Sequence, residues 1–260
     1  MKLTCTVACA IVAFTTPLFA GGSQEPRERT VPVDRGVPAA IQVTAGEHFT
    51  HKLRVMPLIR VSNAPQMAAW CETTDGEFLT TLFVTDRIAT QSWRGAPADP
   101  APTESIRRPE SLPVWSHRRG EIYADGLPVP TRENPMPDAV TTATPKADFR
   151  MATLLPRGYE TLVVYFEVNH SADFNNSFTA EADEREANYS GGEWGSGQPA
   201  LVYRTEVHIP DIRDGQPVAL ELVGHSSPDG STGAIAGDLE TITTATEIVD
   251  SVRLMVGTGN

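Results

Sequence analysis

An all-β fold is what this sequence predicts, in the form of an immunoglobulin-like β-sandwich with a long proline-rich, partly helical insertion. Three observations lead there. About seven segments alternate apolar and polar side chains with the period of two that a half-buried strand needs. Residues with turn chemistry separate them. Helical periodicity is nearly absent across the 260 residues. Short strands in that number, with turns between them, suit two packed sheets.

The first twenty residues, MKLTCTVACAIVAFTTPLFA, set Lys2 before an apolar run from Val7 to Phe14 and end on the small residue Ala20. That is the layout of a secretory signal peptide cleaved after Ala20. The run is too short to span a bilayer and no later stretch reaches about eighteen apolar residues, so no membrane span is expected. Cys5 and Cys9 lie too early in the leader to carry a lipid anchor. Residues 21–45 are polar and dotted with proline, and read as a flexible mature amino-terminal segment that orders only on the domain surface. Residues 46–260 form the single sandwich domain, with its insertion at 89–145.

Within that domain, HKLRVMPLIRV and QMAAWCETTDGEFLTTLFVTD alternate as strands. Asp75-Gly76 divides the second into a hairpin, because Gly76 can take the positive φ such a turn needs. Trp70, Phe78, Leu82 and Val84 are the expected buried face. The insertion from Ala89 to Pro145 has its best helical stretch in ESIRRPESLPVWSHRRGE, where Pro109 and Pro113 limit any helix to short pieces. A connection of this length is expected to lie over one end of the sheets. Strands return at FRMATLL, ETLVVYFEVNHS, PALVYRTEVHI, PVALELVGHSS and SVRLMVG, with a helical turn or two at TITTATEIVD.

Composition narrows the function classes. A hydrophobic fraction of 40% is enough for a core. The net charge of -12 argues against nucleic acid and against anionic lipid surfaces, and favours a periplasmic or secreted protein. Once the leader is removed Cys71 is the only cysteine, so no intrachain disulfide forms. It is expected to be a buried small hydrophobe. There is no Gly-x-Ser-x-Gly elbow, no phosphate-binding glycine loop before a helix and no paired-cysteine motif, and no catalytic residue is assigned. The acidic run EADEREANYSGGEWGSGQPA reads as a solvated loop.

Several residues are candidates for binding. His48 and His51 have a spacing found in some metal sites, but no third ligand is evident. On a strand that spacing puts the rings on opposite faces, so an exposed edge is the expectation and no metal site is assigned. His170 and His225 each end a strand on His-Ser. If those strands share a sheet end, the two histidines with Asp173, Asp229 and Asp238 line one polar pocket; otherwise these residues only build loops. Calcium would suit such oxygen-rich loops, yet the regular spacing of a calcium loop is missing. Trp194 and Tyr189 offer aromatic faces for a sugar or a flavin.

In PDAVTTATPKADF, residues Asp138, Thr141, Ala143 and Thr144 are similar in order to the acceptor site of ApbE-type FMN transferases, which join FMN through its phosphate to a threonine. That resemblance implies Thr144 as the acceptor, with Asp138 and Thr141 framing it. Thr142 stands where glycine is commonest in that pattern, and Pro145 follows where a small polar residue is usual. The segments WCETTDGEFLTTLFVT, RRPESLPVWSHRRG, DAVTTATPKADF, YFEVNHSADFN, GGEWGSGQPALVYR and TTATEIVDSVRLMVG together resemble a family of predicted periplasmic proteins of unknown function, often encoded beside ApbE-type flavin transferases and PepSY-domain membrane proteins. The resemblance runs from about Leu53 to Val256. It implies flavin-based electron transfer outside the cytoplasm as the setting. Three functions follow as alternatives: a noncatalytic accessory to a flavinylated or PepSY-type redox partner, its contact carried by loops such as 191–197; a covalent FMN carrier modified at Thr144; or a solute-binding module using Trp194 and the His170 and His225 loops.

Overall fold

In this computed structural model the described residues are 36–56, 59–91, 93, 107–136, 141–142 and 145–257, with the backbone alone at 53–56, 59–61, 141 and 142. All lie within the compact unit Asp34–Asn260. The expected signal peptide, Asp138 and Thr144 fall outside the described residues.

The strands are β1 (Gly36–Ala45), β2 (His51–Met56), β3 (Ile59–Asn63), β4 (Gln66–Glu72), β5 (Phe78–Thr85), β6 (Thr141–Thr142), β7 (Phe149–Pro156), β8 (Thr161–Asn169), β9 (Leu201–His208), β10 (Pro217–His225) and β11 (Val249–Val256). Two short helices, α1 (Asp86–Thr90) and α2 (Pro113–Arg118), lie between β5 and β6. The fold is mostly β, as expected. Nine strands share one sheet in the order β6-β5-β4-β8-β9-β10-β11-β1-β7, while β2 and β3 form a separate ribbon. Every pair in the large sheet is antiparallel except β5 with β6.

The large sheet nearly closes on itself. Near its two ends, the Thr153 hydroxyl on β7 donates to the Leu82 carbonyl on β5 at 3.1 Å, and the rings of Phe83 and Phe149 pack 5.8 Å apart. A nearly barrel-shaped sheet results, and an immunoglobulin-like arrangement in particular does not follow from this strand order. Ile41, Val43, Met67, Phe166, Leu201, Val252 and Leu254 belong to the enclosed core. Cys71 is buried in the same core as expected, and burial pushes its thiol up to about 12.

Two expectations are corrected. The segment 21–45 is not wholly a surface tail: Gly36–Ala45 is a ten-residue strand paired with β11 on one side and β7 on the other. Its Gly36 and Pro38 hid it, although Ala40, Ile41 and Val43 are core residues. The hairpin turn at Asp75-Gly76 forms, with Gly76 at φ +87° and its N–H donating to the Thr73 carbonyl. Its apolar residues nevertheless divide between two faces. Leu82 enters the enclosed core, whereas Trp70, Val84 and Phe78 join a second cluster outside it. Irregularities in the β4–β5 register, at Ala69/Trp70 and Cys71/Glu72, break the strict alternation that the sequence suggests.

That second cluster explains the insertion. Trp93, Leu112, Val114 and Trp115 pack on Ala68, Trp70, Val84, Val163, Tyr165 and Val202, so the insertion covers the outward face of β4, β5, β8 and β9. Pro113 opens α2, where its missing N–H costs nothing. Below it, the fully buried Glu167 carboxylate accepts the N–H groups of Val114 at 3.1 Å and Trp115 at 2.8 Å. The Trp115 indole N–H donates to Thr81 Oγ1 at 3.1 Å.

Trp115→Ala is therefore expected to cost about 3–5 kcal/mol of stability, the range for truncating a buried aromatic, as read by urea unfolding; a cost under about 1 kcal/mol would show that the insertion is only padding. Burial also raises Glu167 to about 8 and Glu110 to about 7, from an ordinary 4.5. Each binds its proton more tightly folded than unfolded. Their stabilisation is full below pH 4.5 and is lost as pH rises toward 8. Unfolding titrations across that window should show falling stability, with a shallower slope in Glu167→Gln.

Candidate metal centre

One end of the nearly closed sheet gathers the loops. β1, β8 and β10 finish there, and β4, β9 and β11 begin there. The strands before His170 and His225 thus do share a sheet end, flanking the start of β9, where Leu201 pairs with both Val168 and His225.

His48 does not lie on a strand. Residues 46–50 make a turn before β2, clipped to the loop before β11: the Gly46 N–H donates to the Ile248 carbonyl at 3.0 Å and the His48 N–H to the Glu247 carbonyl at 2.9 Å. Phe49 then plugs into the enclosed core. The turn removes the alternation that would have put His48 and His51 on opposite faces. Their ring centroids stand 5.0 Å apart.

The third group comes from the loop after β8. Ala172, at φ +58°, occupies the sparsely populated left-handed region, a strain found at functional loops. It delivers Asp173 to a bridge in which the Asp173 N–H donates to the Ser196 carbonyl and the Gln198 N–H donates to the Asp173 carbonyl, both at 2.9 Å. Gly197 is required at that crossing. Its φ is +79°, and a Cβ there would fall 2.5 Å from the Asp173 carbonyl carbon and oxygen.

The Asp173 carboxylate is buried and oriented from behind. Oδ2 accepts Gln198 Nε2 at 2.9 Å, and Oδ1 accepts the Thr244 hydroxyl at 2.7 Å. Gln198 is held in turn by the N–H of Thr243, which donates to its Oε1 at 2.6 Å. On the open side Oδ1 stands 3.4 Å from His48 Nε2. That nitrogen is buried and has no hydrogen-bond partner. His48, His51 and Asp173 each bring a ligand atom within 4.8 Å of the others.

His170 stands behind this trio, 5.8 Å from the rings of both His48 and His51. Its Nε2 contacts the His48 carbonyl at 3.0 Å, which makes that nitrogen the N–H donor. Burial, against the raising effect of that bond, pushes His170 down to about 4. Burial likewise lowers His51, opposed by the nearby Asp173. Two imidazoles and one carboxylate suit zinc, copper, iron or nickel, not the calcium that oxygen-rich loops alone would suggest.

The other candidates go elsewhere. His225 turns its Nδ1 to the Ser226 carbonyl at 2.7 Å, and its backbone pairs with Ala236. Asp229 accepts the N–H and hydroxyl of Ser231, and Asp238 accepts the N–H of Glu240; both carboxylates build exposed turns. Trp194 closes a 3-10 turn, Gly192–Trp194, and is half-buried like Tyr189. Thr141 lies in β6, at the edge of the large sheet. Sequence reasoning missed Gln198, Thr243 and Thr244, which carry no motif. The spacing of His170 and Asp173, echoing that of His48 and His51, was the available signal for the cluster. Comparison with family models, with curated proteins and with solved structures finds no match.

Proposed function

We propose that this is an exported β protein that binds one divalent first-row transition ion, with zinc as the reference case, through His48, His51 and Asp173. The observation that supports this reading is the convergence of the three ligand atoms within 4.8 Å, one of them the buried, unpartnered Nε2 of His48. Tetrahedral ligands about 2.1 Å from zinc stand about 3.4 Å from one another. The separation of His48 Nε2 and Asp173 Oδ1 is already 3.4 Å. The remaining closure falls to the half-exposed His51, since Asp173 is fixed by Gln198 and Thr244. The setting outside the cytoplasm rests on the amino-terminal leader pattern. Among the described residues no helix is long and apolar enough to cross a membrane.

A second reading keeps the flavin-linked setting: a noncatalytic accessory in electron transfer outside the cytoplasm, or a carrier with FMN on Thr144. It rests on the family resemblance. One observation favours it, that Thr141 and Thr142 form the outermost strand of the large sheet, beside β5. Neither reading assigns the chain a catalytic step.

Isothermal titration of the metal-free protein with zinc should give one site per chain, lost in His51→Ala and Asp173→Asn. Zinc at a hundred times its Kd should add about 2.7 kcal/mol of stability. Equal zinc uptake by the wild type and both variants would refute the assignment. For the second reading, intact mass after co-expression with an ApbE-type transferase should rise by FMN less one water, and the gain should vanish in Thr144→Ala; an unmodified protein beside a modified control acceptor would sink it.

A further inference from the structure

The metal reading leaves one side of the ion unaccounted for. Among the described residues three protein groups form the cluster, and no fourth histidine, cysteine or carboxylate joins it at the same closeness. His170 is the nearest further ligand type, but its Nε2 is committed to the His48 carbonyl, and its buried, unpartnered Nδ1 is not among the atoms that converge within 4.8 Å. His48 and His51 are each partly exposed, although His48 Nε2 itself is buried. Metal sites closed by four protein groups are structural, whereas three protein groups leave a position for water or another ligand.

Charge says what that position would take. Two neutral imidazoles and one carboxylate leave a divalent ion with a residual charge of about +1. A small anion neutralises it.

A second group lies across the ribbon from His51. Asn63, on β3, is directly opposite His51 on β2, so the two side chains share one face of the ribbon. It is 7% exposed, and its Nδ2 is a buried donor without a hydrogen-bond partner. An unsatisfied buried amide is costly unless something fills it. An anion bound to the metal would accept from it.

We propose that the occupied centre is a metal-dependent anion site, in which a small anion such as a carboxylate or azide binds the open position of the ion and accepts a hydrogen bond from Asn63. This rests on metal binding at His48, His51 and Asp173. It gives the solute-binding alternative a ligand class and a place. No bond is made or broken in the anion; a metal-bound water leaves and the anion enters.

Cobalt(II) loading of the metal-free protein, followed by azide titration, separates the two levels. One cobalt per chain is expected, with visible d–d bands that shift saturably as azide replaces water. In Asn63→Ala the azide affinity per bound cobalt should fall roughly tenfold, the usual size of a lost hydrogen bond to a charged group, with circular dichroism confirming the fold. Asn63 Nδ2 has no partner to lose, so the variant is expected to fold. Bands insensitive to azide, or azide affinity unchanged in Asn63→Ala, would each overturn the anion site while leaving the metal site standing. Failure to bind cobalt or zinc would overturn both.

Discussion

A sheet that is apolar on both faces has to be covered twice, and that constraint organises this molecule. β4 and β8 are buried along nearly their whole lengths, on alternate residues of either side. One face is covered because the sheet curls until β5 and β7 meet, enclosing Met67, Phe166 and Leu254. The opposite face carries Trp70 and Tyr165, stacked 5.0 Å apart, and needs a separate lid. The insertion supplies it. Glu167, in the middle of β8, is a buried carboxylate on that face, as is Glu72 at the end of β4, and the two backbone donors at the start of α2 are what make the burial of Glu167 tolerable.

Curling also decides where a site can form. With the sides of the sheet occupied by core and insertion, the long connections emerge at one end, where β1, β8 and β10 stop. Loops over a rigid scaffold are the usual place for binding residues. Here three of them are interlocked: the turn before β2 hangs on Glu247 and Ile248, and the loop after β8 crosses Ser196 and Gln198. Polar side chains that would otherwise be separate turns are thereby held against one another.

Local pattern made most strands legible, because period-two alternation and turn residues are properties of short segments. FRMATLL, TLVVYFEVN, LVYRTEVH and VRLMV all lie in strands. β1 was not legible, since its pairing with β11 and β7 joins residues more than a hundred positions apart and its own Pro38 argues against it. The same limit governs the site. His48 and His51 were visible as a pair and rejected because a strand would part them; only the clip to Glu247, two hundred residues away, reveals a turn. Asp173 was visible as a loop carboxylate, but its neighbours are set by tertiary contacts. His225, Asp229 and Asp238, chosen by the same reasoning, are turn builders because their own following residues satisfy them.

What distinguishes the His48 cluster from those turns is how its carboxylate is satisfied. Asp173 already accepts from Gln198 and Thr244, so the loop after β8 holds its shape without an ion to organise it. In small zinc domains the metal supplies the folding energy and the apo chain is unfolded. This chain has a large enclosed core to do that work. An ion added to a preformed carboxylate and a preformed turn gains little by ordering the chain, and its binding energy goes into the contacts it makes. Under the metal reading, occupancy of such a site would report on the surroundings of the protein and leave the fold unchanged, which is the property a reversible binding module requires.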